Sequence, residues 1–376
     1  MALPRSKYVL EGQEGVYHCF TRCVRRAFLC GFDTLTDRDF SHRKTLLLDR
    51  LRHIAAVFAI EVCAFAILEN HYHLILRTRP DLVALWSDHE VATRWLTLFP
   101  RHRDLTGAPI PPTGEEIRAL ADCPDRIATL RRRLCSLSWF MGRLNEFVAR
   151  VANQEDHVKG RFWESRFKCQ ALLDDAAITA GMVYVDLNPV RAGLAATPEE
   201  SDFTSIQQRI RAWKNQTTAT ASLPGETAQE LPTGSVGSGL QIPETSCEIP
   251  GPVPESISAP TDSLACAPPF SSWLCPIHSD SQRRGILQIT AAEYFDLVDR
   301  SGRMMRSGNR GSIDSELAPI LLRIGAKPDA WGDTVSRFGA KFRLAAGKLS
   351  SLRNFADQLR RRWFAGIAMA RAAFAT

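Results

Sequence analysis

The sequence predicts an α+β fold: one antiparallel sheet with helices packed on it, followed by a disordered linker and a small helical C-terminal region. Three observations lead there. Apolar residues recur with periods of two and of 3.6, in the order β-α-β-β-α-β-α, up to about Trp213. A stretch rich in Pro, Gly, Ser and Thr then breaks the apolar pattern. Helical spacing returns from about Ile286 to the end. The expected division is a first domain over 1–213, a linker over 214–283 and a helical region over 284–376.

"VYHCFTRC" opens the order as a strand, rich in Val, Tyr, Phe and Thr. "HRKTLLLDRLRHIAAVF" follows with Leu47, Leu48, Leu51, Ile54 and Phe58 at helical spacing. "IEVCAFAIL" and "HYHLILRT" are β-type runs joined by a turn at "EN", hence a hairpin. "DRIATLRRRLCSLSWFMGRLNEFVARVAN" reads as one long amphipathic helix. "SRFKCQALL" suggests a strand, and Asp174 and Asp175 offer an N-cap for "AAITAGMVYVDL". That helix is expected to stop at Asn188-Pro189, because a residue before proline is pushed out of the α region. The order is that of a ferredoxin-like sandwich, with its helices expected on one face of the sheet.

The chain of 376 residues, 45% hydrophobic, is long enough for two domains and a sizeable core. Its formal charge of +6 understates the folded parts. Asn215 to Gln282 holds seven acids and no Lys or Arg, so the rest carries about +13. A basic body favours a polyanionic partner, nucleic acid first, although a solvated basic surface would look the same. Ten cysteines without a CxxC pair, and a start without an apolar signal core, point to reduced thiols in the cytosol. The longest apolar run, Ile54 to Leu68, is too short for a membrane span and is broken by Glu61.

Candidate chemistry begins at "NHYHLIL". On a strand, residues i and i+2 share a face, so His71 and His73 project side by side, roughly 6–7 Å apart at Cα. Two imidazoles at that spacing can converge on one divalent ion. Two half-buried polar residues near a turn would read alike. No Asp-His follows the pair, as in metallo-hydrolases, and no Glu and later His have cupin spacing, so a third ligand must come from elsewhere. Tyr184 and Asn188 in "GMVYVDLNPVRAGL" are four apart, on one helical face. Packed across the sheet, that face would bring the Asn188 amide to the histidines and the Tyr184 hydroxyl beside them. A tyrosine there can attack phosphorus, form a phosphotyrosine and release a 3′-hydroxyl. The plainer reading of Tyr184 is an aromatic packed in the core. Tyr72 faces the other way, and Tyr8, Tyr17 and Tyr294 are placed less favourably.

"KGRFWESRFK" interleaves Lys159, Arg161, Arg166 and Lys168 with Phe162, Trp163 and Phe167. That pattern suits a single strand, with phosphates on the cations and bases stacked on rings such as Trp163. The alternative is that the rings are core and only the cations are exposed. Arg22, Arg25 and Arg26 are further phosphate candidates, and Arg191 either binds nucleic acid or caps its helix. Cys266, Cys275 and His278 fit no common zinc spacing. The basic C-terminal helix "SLRNFADQLRRRWFAGIAMARAAF" reads first as part of a small bundle with a charged surface.

Four pieces, "YHCFTRCVRRAFL", "FAILENHYHLILRT", "GRFWESRFKCQALL" and "YVDLNPVRAGL", together resemble the HUH-type single-tyrosine transposases, REP-associated branch, in the order that family has them. They span about Val16 to Leu194, roughly half the chain. The resemblance implies Mg2+ or Mn2+ on His71 and His73, Tyr184 as nucleophile and Asn188 as third ligand. It implies single-stranded or hairpin DNA as substrate, with nicking and rejoining through a 5′-phosphotyrosine. A homodimer and a cytoplasmic location are consistent with it. The chain departs from the family in having Leu68-Glu69 where Met-Pro is usual, in an expected insertion over about 88–124, and in the linker and C-terminal region. The alternative function is a non-catalytic DNA-hairpin-binding protein of the same fold.

Overall fold

The computed structural model describes residues 4–24, 30–33, 37–221, 273–306, 318–361 and 365–374. The middle of the expected linker lies outside these residues, as do Arg25, Arg26 and Cys266.

The fold is α+β. Strands β1 (Gly15–Arg22), β4 (Ile60–Ile67), β5 (His71–Thr78), β6 (Lys168–Leu172) and β7 (Ala345–Ala346) form a five-stranded sheet in the order β4-β5-β1-β6-β7. β2 (Phe32–Asp33) and β3 (Arg38–Asp39) make a separate small ladder. The first four strands of the large sheet are antiparallel and follow the ferredoxin-like order. β7 comes from the C-terminal region and pairs parallel with β6, so the sheet as a whole is mixed.

The β4–β5 hairpin sets the register that matters. Its register shifts between Val62 and Ala64, leaving Cys63 as a bulge. Leu68, Glu69 and Asn70 make the turn, closed by Leu68 N–H donating to the His71 carbonyl at 2.9 Å. The Glu69 and Asn70 carbonyls accept from Cys30 and Cys23 N–H, which ties the turn to the chain after β1.

The helices lie on both faces of the sheet, not on one. Alternation along β5 shows this. Tyr72 reaches α6 (Leu137–Glu155), its hydroxyl donating to Asn145 Oδ1 at 2.7 Å. His73 faces α7 (Asp175–Asp186), 5.7 Å from the Tyr184 ring. α1 (His42–Val57) buries Leu47, Leu48, Leu51 and Ile54 and packs with α6 on the Tyr72 side.

The long helix expected after residue 125 is two. α5 (Pro124–Leu134) and α6 are separated at Cys135-Ser136, where Ser136 turns extended. A tertiary contact decides the break: the Leu134 carbonyl accepts from Ala59 N–H at the start of β4. Upstream, α2 (Pro80–Leu85), α3 (Asp88–Leu98) and α4 (Gly114–Ala121) form a helical layer with α5, and α4 starts on a full capping box between Thr113 and Glu116. The segment expected as an insertion is thus largely helical.

α7 is capped as the sequence suggests, Asp174 accepting from Ala177 N–H at 3.1 Å. It ends at Asp186, and a further turn, α8 (Asn188–Arg191), follows with Pro189 in its first turn. Proline lacks only an N–H that a first turn leaves unused, so it starts this turn instead of stopping the chain. Every residue from Ala176 to Asp186 is buried. A helix apolar all round needs cover all round. The sheet supplies one side; α10 (Ala291–Arg306), α11 (Ala318–Ile324) and α12 (Trp331–Lys341) supply the other. α13 (Leu349–Gln358) and α14 (Ile367–Ala373) complete the C-terminal region.

Two buried polar residues pin this region to the core. Asp186 accepts from Ser205 Oγ and Ile206 N–H at the start of α9 (Ser205–Ala221), and from the Tyr294 hydroxyl of α10 at 2.6 Å. Burial raises the Asp186 carboxyl above its usual range, and these three donors oppose the shift. Arg77 of β5 pairs with Glu61 and donates to the Arg284 and Gly285 carbonyls and to Cys275 Sγ. Residues from 273 on, expected within the linker, therefore pack against the β4 edge. Among the described residues no helix is long and apolar enough to cross a membrane.

Candidate functional site

His71 and His73 project from the opening of β5 onto the α7 face, their rings 5.0 Å apart and nearly perpendicular. Tyr184 of α7 stands across from them, edge-on to His73. The three line a cleft of about 230 Å³ with Arg22, Arg166, Lys168 and Arg191. Of the residues singled out in the sequence and described here, these seven come together. Trp163, Lys159, Arg161 and Asn188 do not line the cleft.

Hydrogen bonding determines which imidazole nitrogens are open. His71 Nδ1 faces the Asn70 side-chain oxygen at 2.6 Å. That oxygen only accepts, so Nδ1 carries the proton and Nε2 keeps its lone pair. His73 is set through a relay that the sequence did not reveal. With the Gln170 amide oriented so that Oε1 faces His18 Nδ1 at 3.3 Å, Nδ1 donates to it and His18 Nε2 is left an acceptor. His73 Nδ1 lies 2.9 Å from His18 Nε2 and donates in turn, which frees His73 Nε2.

The relay is a consequence of register. Gln170 of β6 is the direct cross-strand partner of His18, and His73 is that of Phe20, one place along the same face of β1. A lone histidine in "VYHCF" was the only sequence signal. Burial holds His18 and His71 at about 4 and pushes His73 well below the usual range. Neighbouring positive charge adds to this at His71 and His73. All three are neutral near pH 7, the state a metal ligand needs.

The residues present suit a divalent ion. Two Nε2 atoms have no hydrogen-bond partner among the described residues, and each opposite nitrogen is oriented by a polar group, the usual arrangement around metal-binding histidines. The remaining positions are for oxygen: among the described residues no group of three His, Cys, Asp or Glu is arranged to hold a metal. Asn188 is buried, with its Nδ2 lacking a partner, but it is not on the cleft wall. α7 has ended between Tyr184 and Asn188, so the two are not carried on one continuous helix.

Tyr184 is 7% exposed. Its hydroxyl accepts from Arg191 Nη2 at 3.1 Å, and the guanidinium lies 4.5 Å from the ring centre. Arg191 also donates to the Ser336 carbonyl of α12. α12 places Phe338 5.9 Å from the Tyr184 ring and Gly339 so close that a Cβ there would lie 2.9 Å from the hydroxyl.

The basic-aromatic segment divides by depth. Phe162, Trp163 and Phe167 are buried, while Lys159, Arg161, Arg166 and Lys168 are exposed. Trp163 donates to the Asn145 carbonyl at 2.9 Å and packs edge-on to Tyr72, on the far side of the sheet from the cleft. It is a core residue and has no free face for a base. Arg22 approaches Glu164 at 3.9 Å, an exposed pair that brings one acid to the cleft rim.

No family model matches the chain, and no curated protein matches it. A solved structure described as a REP-associated tyrosine transposase bound to a REP hairpin is similar, at 14% identity and a TM-score of 0.28, over 64% of this chain and 99% of that one. At that level the likeness carries no functional argument, and the site geometry stands on its own.

Proposed function

We propose that the protein is a divalent-metal-dependent enzyme that nicks and rejoins single-stranded DNA through Tyr184. The observation that carries this reading is the cleft itself. Two neutral histidines with open Nε2 atoms face a tyrosine hydroxyl, and Arg22, Arg166, Lys168 and Arg191 surround them.

The chemistry follows from those groups. Tyr184 Oη loses its proton and attacks the scissile phosphorus. The P–O3′ bond breaks, and the departing 3′ oxygen takes up a proton. The 5′ side stays on the protein as a phosphotyrosine, so the ester is conserved and a second 3′-hydroxyl can reverse the step. Arg191 donates to the attacking oxygen and, by packing on the ring, fixes its direction. Arg166 and Lys168 hold the phosphates on either side. Mg2+ or Mn2+ held by His71 and His73 would neutralise charge on the scissile phosphate.

A second reading has one observation in its favour. Tyr184 is covered by α12, which suits a protein that binds a DNA hairpin without cutting it. A trapping experiment separates the two. The protein is incubated with labelled hairpin oligonucleotides and Mn2+, then digested for mass spectrometry. A nucleotide on the Tyr184 peptide is expected. Binding with no adduct under any metal condition would favour the non-catalytic reading.

A further inference from the structure

A larger recess of about 1170 Å³ adjoins the cleft and shares Phe20, Ser165, Arg166 and Lys168 with it. Its walls come from three parts of the chain. The N-terminal segment contributes Arg5, the β6 approach contributes Arg166 and Lys168, and the C-terminal region contributes Arg343 and Arg361. Among the described residues no Asp or Glu lines it.

The C-terminal wall is held by the sheet itself. β7 pairs parallel with β6 at Ala171–Ala345, and Ala171 N–H donates to the Leu344 carbonyl at 2.9 Å. Arg343 lies two residues before that pair and lines the recess together with Lys168. Asp174, the cap of α7, also accepts from Lys348 N–H at 2.6 Å and locks the far end of β7. On the opposite wall Arg5 lies over Phe167 at 3.7 Å and donates to its carbonyl at 2.5 Å. Arg166, Lys168, Arg343 and Arg361 are exposed and form no salt bridge among the described residues.

Five cations around one recess, with no acid among its described lining residues, repel one another unless an anion sits among them. The recess is larger than the usual site for a single small ligand. It is continuous with the cleft that holds Tyr184. We infer that the C-terminal region forms one bank of a channel, through Arg343 and Arg361, and that this channel carries the single-stranded DNA flanking the scissile phosphate to Tyr184. The choice of DNA rests on the function proposed above; the channel rests on the recess and its charges. The C-terminal region is then part of the nucleic-acid surface and does more than cover α7.

The test uses the full chain and a fluorescent oligothymidylate of about 12 nucleotides, within the span one such groove binds. Anisotropy titrations over a range of salt give the slope of log affinity against log salt. Arg343→Ala with Arg361→Ala should reduce that slope by about 1.4, the loss of two phosphate contacts. Arg343→Lys with Arg361→Lys should restore most of it. Removing two exposed arginines far from the recess, by Arg118→Ala with Arg126→Ala, should leave it unchanged. If the wild type binds and the alanine pair keeps the full slope, the channel is overturned while the DNA reading survives. An equal loss in the remote pair would also overturn it, since general charge would then explain the effect. A wild type that binds no single strand removes both.

Discussion

Tyr72 and Tyr184 are both buried, and each has its hydroxyl engaged by one neighbour. They stand on opposite faces of the same sheet, beside two residues adjacent in sequence, Tyr72 itself and His73. On the Tyr72 side the neighbours are Asn145 of α6 and Trp163, with the α1 and α6 apolar stripes around them. On the Tyr184 side they are His18, His73, Phe338 and Arg191. The pleat of one strand therefore separates core packing from the candidate site, residue by residue. The same residue type is a core aromatic on one face and a candidate nucleophile on the other. What differs is whether open lone pairs and cations share its space.

The largest effect that would break this comparison is at the tyrosines. Tyr184→Phe keeps the ring and its packing but removes the attacking oxygen, so covalent adduct should vanish while oligonucleotide binding stays near wild type. Tyr72→Phe loses only the bond to Asn145 and should keep activity, with a stability loss of about 1 kcal/mol. An adduct on Tyr72 or Tyr17 would reverse the assignment of the faces.

The histidine pair comes next. His71→Ala with His73→Ala should abolish both Mn2+ binding, followed by calorimetry, and cleavage, with the circular dichroism spectrum retained. Cleavage by the double variant, or wild-type activity in excess EDTA, would remove the metal from the scheme.

Trp163 tests the packing face. Its burial against Tyr72 and its bond to Asn145 make Trp163→Ala a stability variant, costing about 3–5 kcal/mol in a denaturant titration. If stability were unchanged and only single-strand affinity fell, the ring would have to be at the surface.

His18 tests the relay. His18→Phe keeps a ring against Phe20 and His73 but removes the nitrogen that accepts from His73. Mn2+ affinity should fall about 10–100-fold, the range seen when a group orienting a metal ligand is lost. Unchanged affinity would mean that His73 needs no such support.

The smallest effect is with pH. Burial holds His18 and His71 at about 4, below the roughly 6.5 of an unfolded chain. Between those values the unfolded chain binds more protons than the native one, so stability is full above about pH 6.5 and declines as pH falls toward 4. Urea midpoints should be level from pH 8 to 7 and drop from 6.5 downward, less steeply in His18→Phe. Midpoints that stay level to pH 4.5 would contradict the burial of the two rings.

By itself, the sequence determined the local elements and the alternation within them. β5 spans His71 to Thr78 as the pattern required, Asp174 caps α7, and the separation of His71 and His73 from Tyr72 follows from a period of two. These are properties of neighbours along the chain, and short-range sterics and capping carry them. Only the tertiary structure decided the rest. Cross-strand register brought His18 and Gln170 to His73, and a backbone bond from Ala59 split the long helix after Leu134. Packing depth put Trp163 inside and Arg166 and Lys168 outside, although the same segment carries all three. The apolar circumference of α7 signalled that something must cover it, but not that helices about a hundred residues later would do so and bring Arg343 to the recess that Lys168 lines. Contacts between distant segments depend on the register and orientation of whole elements, and periodicity within one element holds no record of either.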